Sequence, residues 1–75
     1  MARNRRTRSM ALSEEQFQRL ASTICSDHAG RIERGYRITG TRRIWERRDG
    51  SWTARFVYRK DGVSIVETIK GLRFG

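Results

Sequence analysis

The sequence predicts an α+β domain in which one N-terminal amphipathic helix packs on a three-stranded antiparallel β-meander, in the order α-β-β-β. Three observations carry this. Apolar residues recur at helical spacing between residues 13 and 28, the period falls to two after residue 35, and two Asp-Gly pairs divide the alternating segments. Residues 1–10 stand apart as a flexible, disordered arginine-rich arm, and residues 11–75 form a single small domain.

The arm, MARNRRTRS, carries Arg3, Arg5, Arg6 and Arg8 and almost nothing apolar. It cannot offset the entropy cost of ordering, so it is expected to be mobile. The helix start is better marked. Ser13 is a good N-cap, Gln16 completes a capping box, Leu12 and Phe17 make a hydrophobic staple, and Glu14 and Glu15 suit the positive helix terminus. Phe17, Leu20, Ala21, Ile24, Cys25 and His28 then share one stripe, with Gly30 placed to end the helix.

Three strands are expected at Tyr36–Arg47, Ser51–Lys60 and Val63–Lys70, turning at Asp49-Gly50 and Asp61-Gly62. In the middle strand Trp52, Ala54, Phe56 and Tyr58 alternate with Thr53, Arg55, Val57 and Arg59, so one face is aromatic and the other carries arginine. The aromatic face should receive the helix. A two-residue turn at Asp61-Gly62 pairs Tyr58 with Ile65 and Ala54 with Ile69, which puts Val63, Ile65 and Ile69 on the aromatic face with Glu67 as the exception. Ser64, Val66, Thr68 and Lys70 join the arginine face. The first hairpin has two registers: a two-residue turn buries Trp45 beside Ala54, and a three-residue turn buries Ile44 instead. Either one is expected to leave Arg42, Arg43 and Arg47 on the open face.

Charge points to the partner. The net charge is +9 in 75 residues, and fifteen of seventeen basic side chains are Arg. A guanidinium pairs bidentately with phosphate and stacks on flat rings, whereas an ammonium is a hydrated point charge. A GC-rich coding bias favours Arg over Lys but does not produce a surplus of positive charge. Nucleic acid is therefore the expected partner, DNA ahead of RNA, with counterion release as the driving term. The expected contact residues are Arg3, Arg5, Arg6 and Arg8 of the arm together with Arg42, Arg43, Trp45, Arg47, Arg55, Arg59 and Lys70 on the sheet. One face of such a sheet must be solvated, and charged residues do that ordinarily. What argues for a ligand is the imbalance of sign, since only Glu46 among the acids is placed near it. Trp45 is the aromatic most available for stacking on a base.

The stretch Gly50-Ser51-Trp52-Thr53-Ala54-Arg55-Phe56-Val57-Tyr58, followed by Asp61-Gly62, resembles the three-stranded arm-site-binding domains of tyrosine integrases and their plant relatives. Those domains place their helix after the sheet, whereas here it is expected first. The resemblance implies major-groove contact by Arg55 and its neighbours on the same face.

Other classes are poorly served. One Cys and one His, Cys25 and His28, leave a metal site to be completed by Asp27 or Glu33, and no phosphate loop, nucleophile elbow or paired-carboxylate motif is present. No enzyme activity, metal or cofactor is expected. No apolar run is long enough for a membrane span, no apolar leader follows the basic N-terminus, and a lone cysteine suits a reducing cytoplasm. The competing expectation is a small phage- or plasmid-type regulator docking on an acidic surface of a larger protein machine. A domain this small also leaves homodimerisation open as a way to bury more surface.

Overall fold

The computed structural model describes residues 8–74. Its elements are β1 (Ser9–Ala11), α1 (Glu14–Ile24), α2 (His28–Glu33), β2 (Arg37–Thr39), β3 (Arg43–Glu46), β4 (Trp52–Lys60) and β5 (Val63–Leu72). The class is α+β with an antiparallel sheet, but the expected order α-β-β-β is replaced by five strands and two helices. β4 is the spine. It pairs with β5 along one edge, with β3 and β2 end to end along the other, and β1 lies outside β3.

Each departure has a local cause. The expected first strand is interrupted at Gly40-Thr41-Arg42, so that Ile38 faces Tyr58 and Ile44 faces Ala54. Two extra residues lie on the β2–β3 side of this interval, and an even number preserves the alternation of faces. Ile38 and Ile44 therefore both turn toward the helices. At the other end Ser9, Met10 and Ala11, in the stretch that overlaps the expected arm, pair with Trp45, Ile44 and Arg43. Met10 shares the face of Ile44, and this short strand satisfies the outer edge of β3.

The expected helix at residues 13–28 stops at Ile24. Ser22 and Thr23 return their hydroxyls to the Arg19 carbonyl at 2.8 and 3.0 Å, and Cys25 is extended. His28 begins α2 instead of closing α1. Gly30 lies inside α2, and the stop is Gly35 at φ +98°, where the Gly35 and Tyr36 N–H groups donate to the carbonyls of Ile32 and Arg31. That pattern is a Schellman motif, which needs a left-handed residue at this position. The helix start is as expected: Ser13 Oγ accepts from Gln16 N–H at 3.1 Å, and Gln16 Oε1 accepts from Ser13 N–H at 2.9 Å.

Phe17 and Ala21 of α1, with Cys25 just past its end, pack in one buried cluster with Ile44, Ala54, Phe56 and Tyr58. The β4–β5 hairpin has the expected register, with Asp61 and Gly62 both at positive φ as a two-residue turn of this kind requires. The first hairpin takes the three-residue turn, Arg47 N–H bonding to Ser51 O at 2.7 Å, and Ile44 rather than Trp45 is buried. Glu67, the misfit on the apolar face, is met there by Arg31 of α2, whose guanidinium also lies 4.9 Å from the Tyr58 ring centroid.

Candidate nucleic-acid interface

The face of the sheet turned away from the helices is set by the alternation of each strand. Cross-strand ranks run along it. Arg37, Arg59 and Ser64 form one rank, Thr39, Val57 and Val66 the next, Arg55 and Thr68 a third, and Trp45, Thr53 and Ser9 a fourth. Successive ranks on β4 are about 6.6 Å apart, two residues of strand rise. Arg37, Arg55 and Arg59 are exposed, Val66 is 59 % exposed, and Trp45 is 37 % exposed.

Sign is what distinguishes this face. Glu46, the acid expected near it, alternates onto the helix side together with Arg8. The two join at the sheet end through Nε to Oε1 at 2.6 Å and Nη2 to Oε2 at 3.0 Å. This pairing holds the Glu46 carboxyl below the usual carboxylate range, chiefly through the hydrogen bond from Arg8. Glu67 is on the helix side with Arg31. Among the described residues the strands present no acid on the open face, and Arg37, Arg43, Arg55, Arg59 and Lys70 take part in no ion pair. Arg37 and Arg59 stand directly opposite each other, an arrangement that costs stability when nothing negative lies between them.

The expected contact residues divide accordingly. Arg55, Arg59 and Trp45 lie on the open face, and Lys70 is exposed within the bulge where β5 shifts register against Trp52 and Ala54. Arg43 is on it but half-buried, its Nη2 donating to Ser9 Oγ at 3.1 Å. Arg47 is exposed at the strand end. Arg42 does not join this face: it sits on the interruption, with Nε toward the Leu12 carbonyl at 3.4 Å. Arg8 is consumed by Glu46, and Arg3, Arg5 and Arg6 lie outside the described residues. Arg37 was missed. The alternation Arg37-Ile38-Thr39 already assigned it to the open face, but an uninterrupted hairpin would have carried it past the end of β4.

The neighbouring turn is fixed locally. Asp49 accepts from Ser51 N–H at 2.9 Å and from Ser51 Oγ at 2.6 Å, and the hydroxyl bond is the main reason its carboxyl titrates low. This locks the Arg47–Ser51 bend that aims Arg47 and Arg48 into solvent.

On the helix side, Cys25 is buried and His28 Nδ1 is 2.9 Å from the Tyr58 hydroxyl, so both belong to the packing. Among the described residues no group of three His, Cys, Asp or Glu side chains is placed to hold a metal, and no helix is long and apolar enough to cross a membrane. A groove of about 300 Å³ between α1 and the sheet is lined mainly by Met10, Leu12, Leu20, Ile44, Trp52 and Phe74, and offers no reactive group.

No protein-family model matches the chain, and no curated protein or solved structure is significantly similar to it.

Proposed function

We propose that this is a small basic nucleic-acid-binding protein, acting on DNA in preference to RNA, that applies the open face of its sheet to phosphates and base edges. The observation supporting this reading is that, among the described residues, the strands present no acid on the face where Arg37, Arg55 and Arg59 stand exposed and outside any ion pair. Solvation alone asks only for polar groups. A face of single sign raises the local concentration of a polyanion and leaves arginines available to guanine edges as well as to phosphates. Arg3, Arg5 and Arg6 add charge in the N-terminal stretch. The protein acts by binding and carries out no chemistry, and its one thiol, Cys25, suits a reducing cytoplasm.

The deciding measurement is titration into labelled double-stranded DNA, single-stranded DNA and RNA at several salt concentrations. Duplex DNA should bind best, with a log-log salt slope equivalent to about four to seven phosphates. Absence of binding at low salt would exclude the reading.

A second reading, docking on an acidic surface of a larger protein, is favoured by one feature. Val66 and Val57 place an apolar rank between the two arginine ranks, and Val66 is 59 % exposed. A protein partner would match that rank with an apolar patch, and binding would then persist at salt concentrations that dissociate DNA.

A further inference from the structure

Resting on the nucleic-acid reading, we propose that Arg37 and Arg59, with the Ser64 hydroxyl beside them, form a discrete clamp for one phosphodiester group of the backbone. Arg59 is the cross-strand partner of Arg37 on one side and of Ser64 on the other, and all three side chains are exposed. Directly opposed residues of an antiparallel pair have Cβ atoms about 5 Å apart, well within the span over which two guanidinium stems can lean to a common point. The rank thus presents two forks and a hydroxyl across three adjacent strands.

Its chemistry selects the ligand. Two like charges held opposite each other repel, so an anion seated between them gains attraction to both and removes their repulsion. A carboxylate holds its two oxygens in one plane and is filled by a single fork, whereas the two non-bridging oxygens of a phosphodiester splay from a tetrahedral centre, so that each can face one guanidinium while the hydroxyl donates to a remaining lone pair or an ester oxygen. Nearby groups do not compete. Glu67 lies on the opposite face with Arg31, and Asp61 in the adjoining turn makes no ion pair with either arginine. Lys60 donates to the Arg34 carbonyl and lies 5.9 Å from the Tyr36 ring centroid, so it is turned to the edge and away from the clamp.

The test compares wild type with Arg37→Gln, Arg59→Gln, Arg59→Lys, the double Gln variant, and Arg19→Gln as a charge removed from the far side of α1. Melting temperature is read in low-salt buffer, then with inorganic phosphate against chloride at matched ionic strength, then with a short DNA duplex. Duplex affinity is measured for each variant. Without added anion, Arg37→Gln and Arg59→Gln should melt above wild type because the repulsion is gone. Each should lose the phosphate-specific stabilisation, bind duplex about tenfold more weakly and lower the salt slope by about one. The double variant should lose little beyond either single change, and Arg59→Lys should fall between.

If both Gln variants matched Arg19→Gln while wild type still bound duplex, the clamp would be wrong and the nucleic-acid reading would stand. If wild type bound no duplex, that reading would fall and take the phosphodiester assignment with it. Stabilisation by free phosphate equal to that by duplex, at the same phosphate concentration, would assign the site to free phosphate and overturn the backbone role.

Discussion

Arg31 and Glu67 form an ion pair beneath the sheet, with the arginine side chain 15 % and the glutamate side chain 29 % exposed. Arg31 reaches this position from α2 by crossing Tyr58, and its Nε, buried and without a hydrogen bond, has Asp27 Oδ2 at 3.7 Å as its second carboxylate. The pair explains how a charged residue can occupy the apolar face of β5. It also ties α2 to the far edge of the sheet.

Removing one partner leaves the other charge half-desolvated. Glu67→Ala should therefore destabilise the fold by about 2 kcal/mol in chemical denaturation, whereas the double change Arg31→Met with Glu67→Leu should recover most of that loss. A single change that left the midpoint unaltered would show the pair to be ornamental.

Phe17 and Phe56 meet with ring centroids 4.7 Å apart, and Phe56 is fully buried. Phe56→Ala should cost about 3 to 5 kcal/mol, comparable to the whole stability of a domain this size. Circular dichroism and one-dimensional NMR should show a largely unfolded chain at room temperature.

Burial pushes the Cys25 thiol and the Tyr58 phenol above their ordinary values. A folded-state value above the unfolded one means that the unfolded chain ionises first as pH rises. The stability these neutral groups contribute is complete below the ordinary thiol value and is lost on going alkaline, beginning near pH 8.5 for Cys25 and near pH 10 for Tyr58. Melting temperature should decline from about pH 8.5 upward, and Cys25→Ala should remove the first part of the decline. In the native state at pH 8 the thiol should resist a disulfide reagent that modifies it at once in denaturant.

Arg55 and the N-terminal arginines should separate by what they do to specificity. If Arg55 addresses a base, Arg55→Ala should lower the preference for a selected duplex over random DNA, by about 1 to 3 kcal/mol for a bidentate contact. Deleting residues 2–7 removes Arg3, Arg5 and Arg6 and should weaken all sequences alike while flattening the salt slope. No loss from Arg55→Ala, measured by competition binding, would reduce the arginine rows to solvation.

What the sequence made legible was local. The Ser13–Gln16 box and the Asp61-Gly62 turn each act within four residues, and with the alternation around Phe56 they were enough to orient α1, β4 and β5. What it hid depends on partners far along the chain. Ile44 and Trp45 are equally apolar, so only the turn geometry decides between them. Ser9–Ala11 reads as the end of a charged tail until β3 offers it an edge. Arg31 carries no mark of burial in a six-residue helix, although Glu67, out of place on its strand, was the sign that a cation had to come from somewhere. The open face followed the same rule: Arg55 and Arg59 were readable from one strand, and Arg37 required the offset between two.

The interruption at Gly40-Thr41-Arg42 makes chain length a discrete variable at this point in the fold. Deleting Thr41 alone would turn β2 over, sending Ile38 into solvent and Arg37 beneath the helices, while β3, β4 and β5 kept their pairing. Removing or adding residues in twos would leave every side chain on its present face and only straighten or deepen the bend. Natural or engineered length variants of this segment should therefore be tolerated as even numbers and rejected as odd ones.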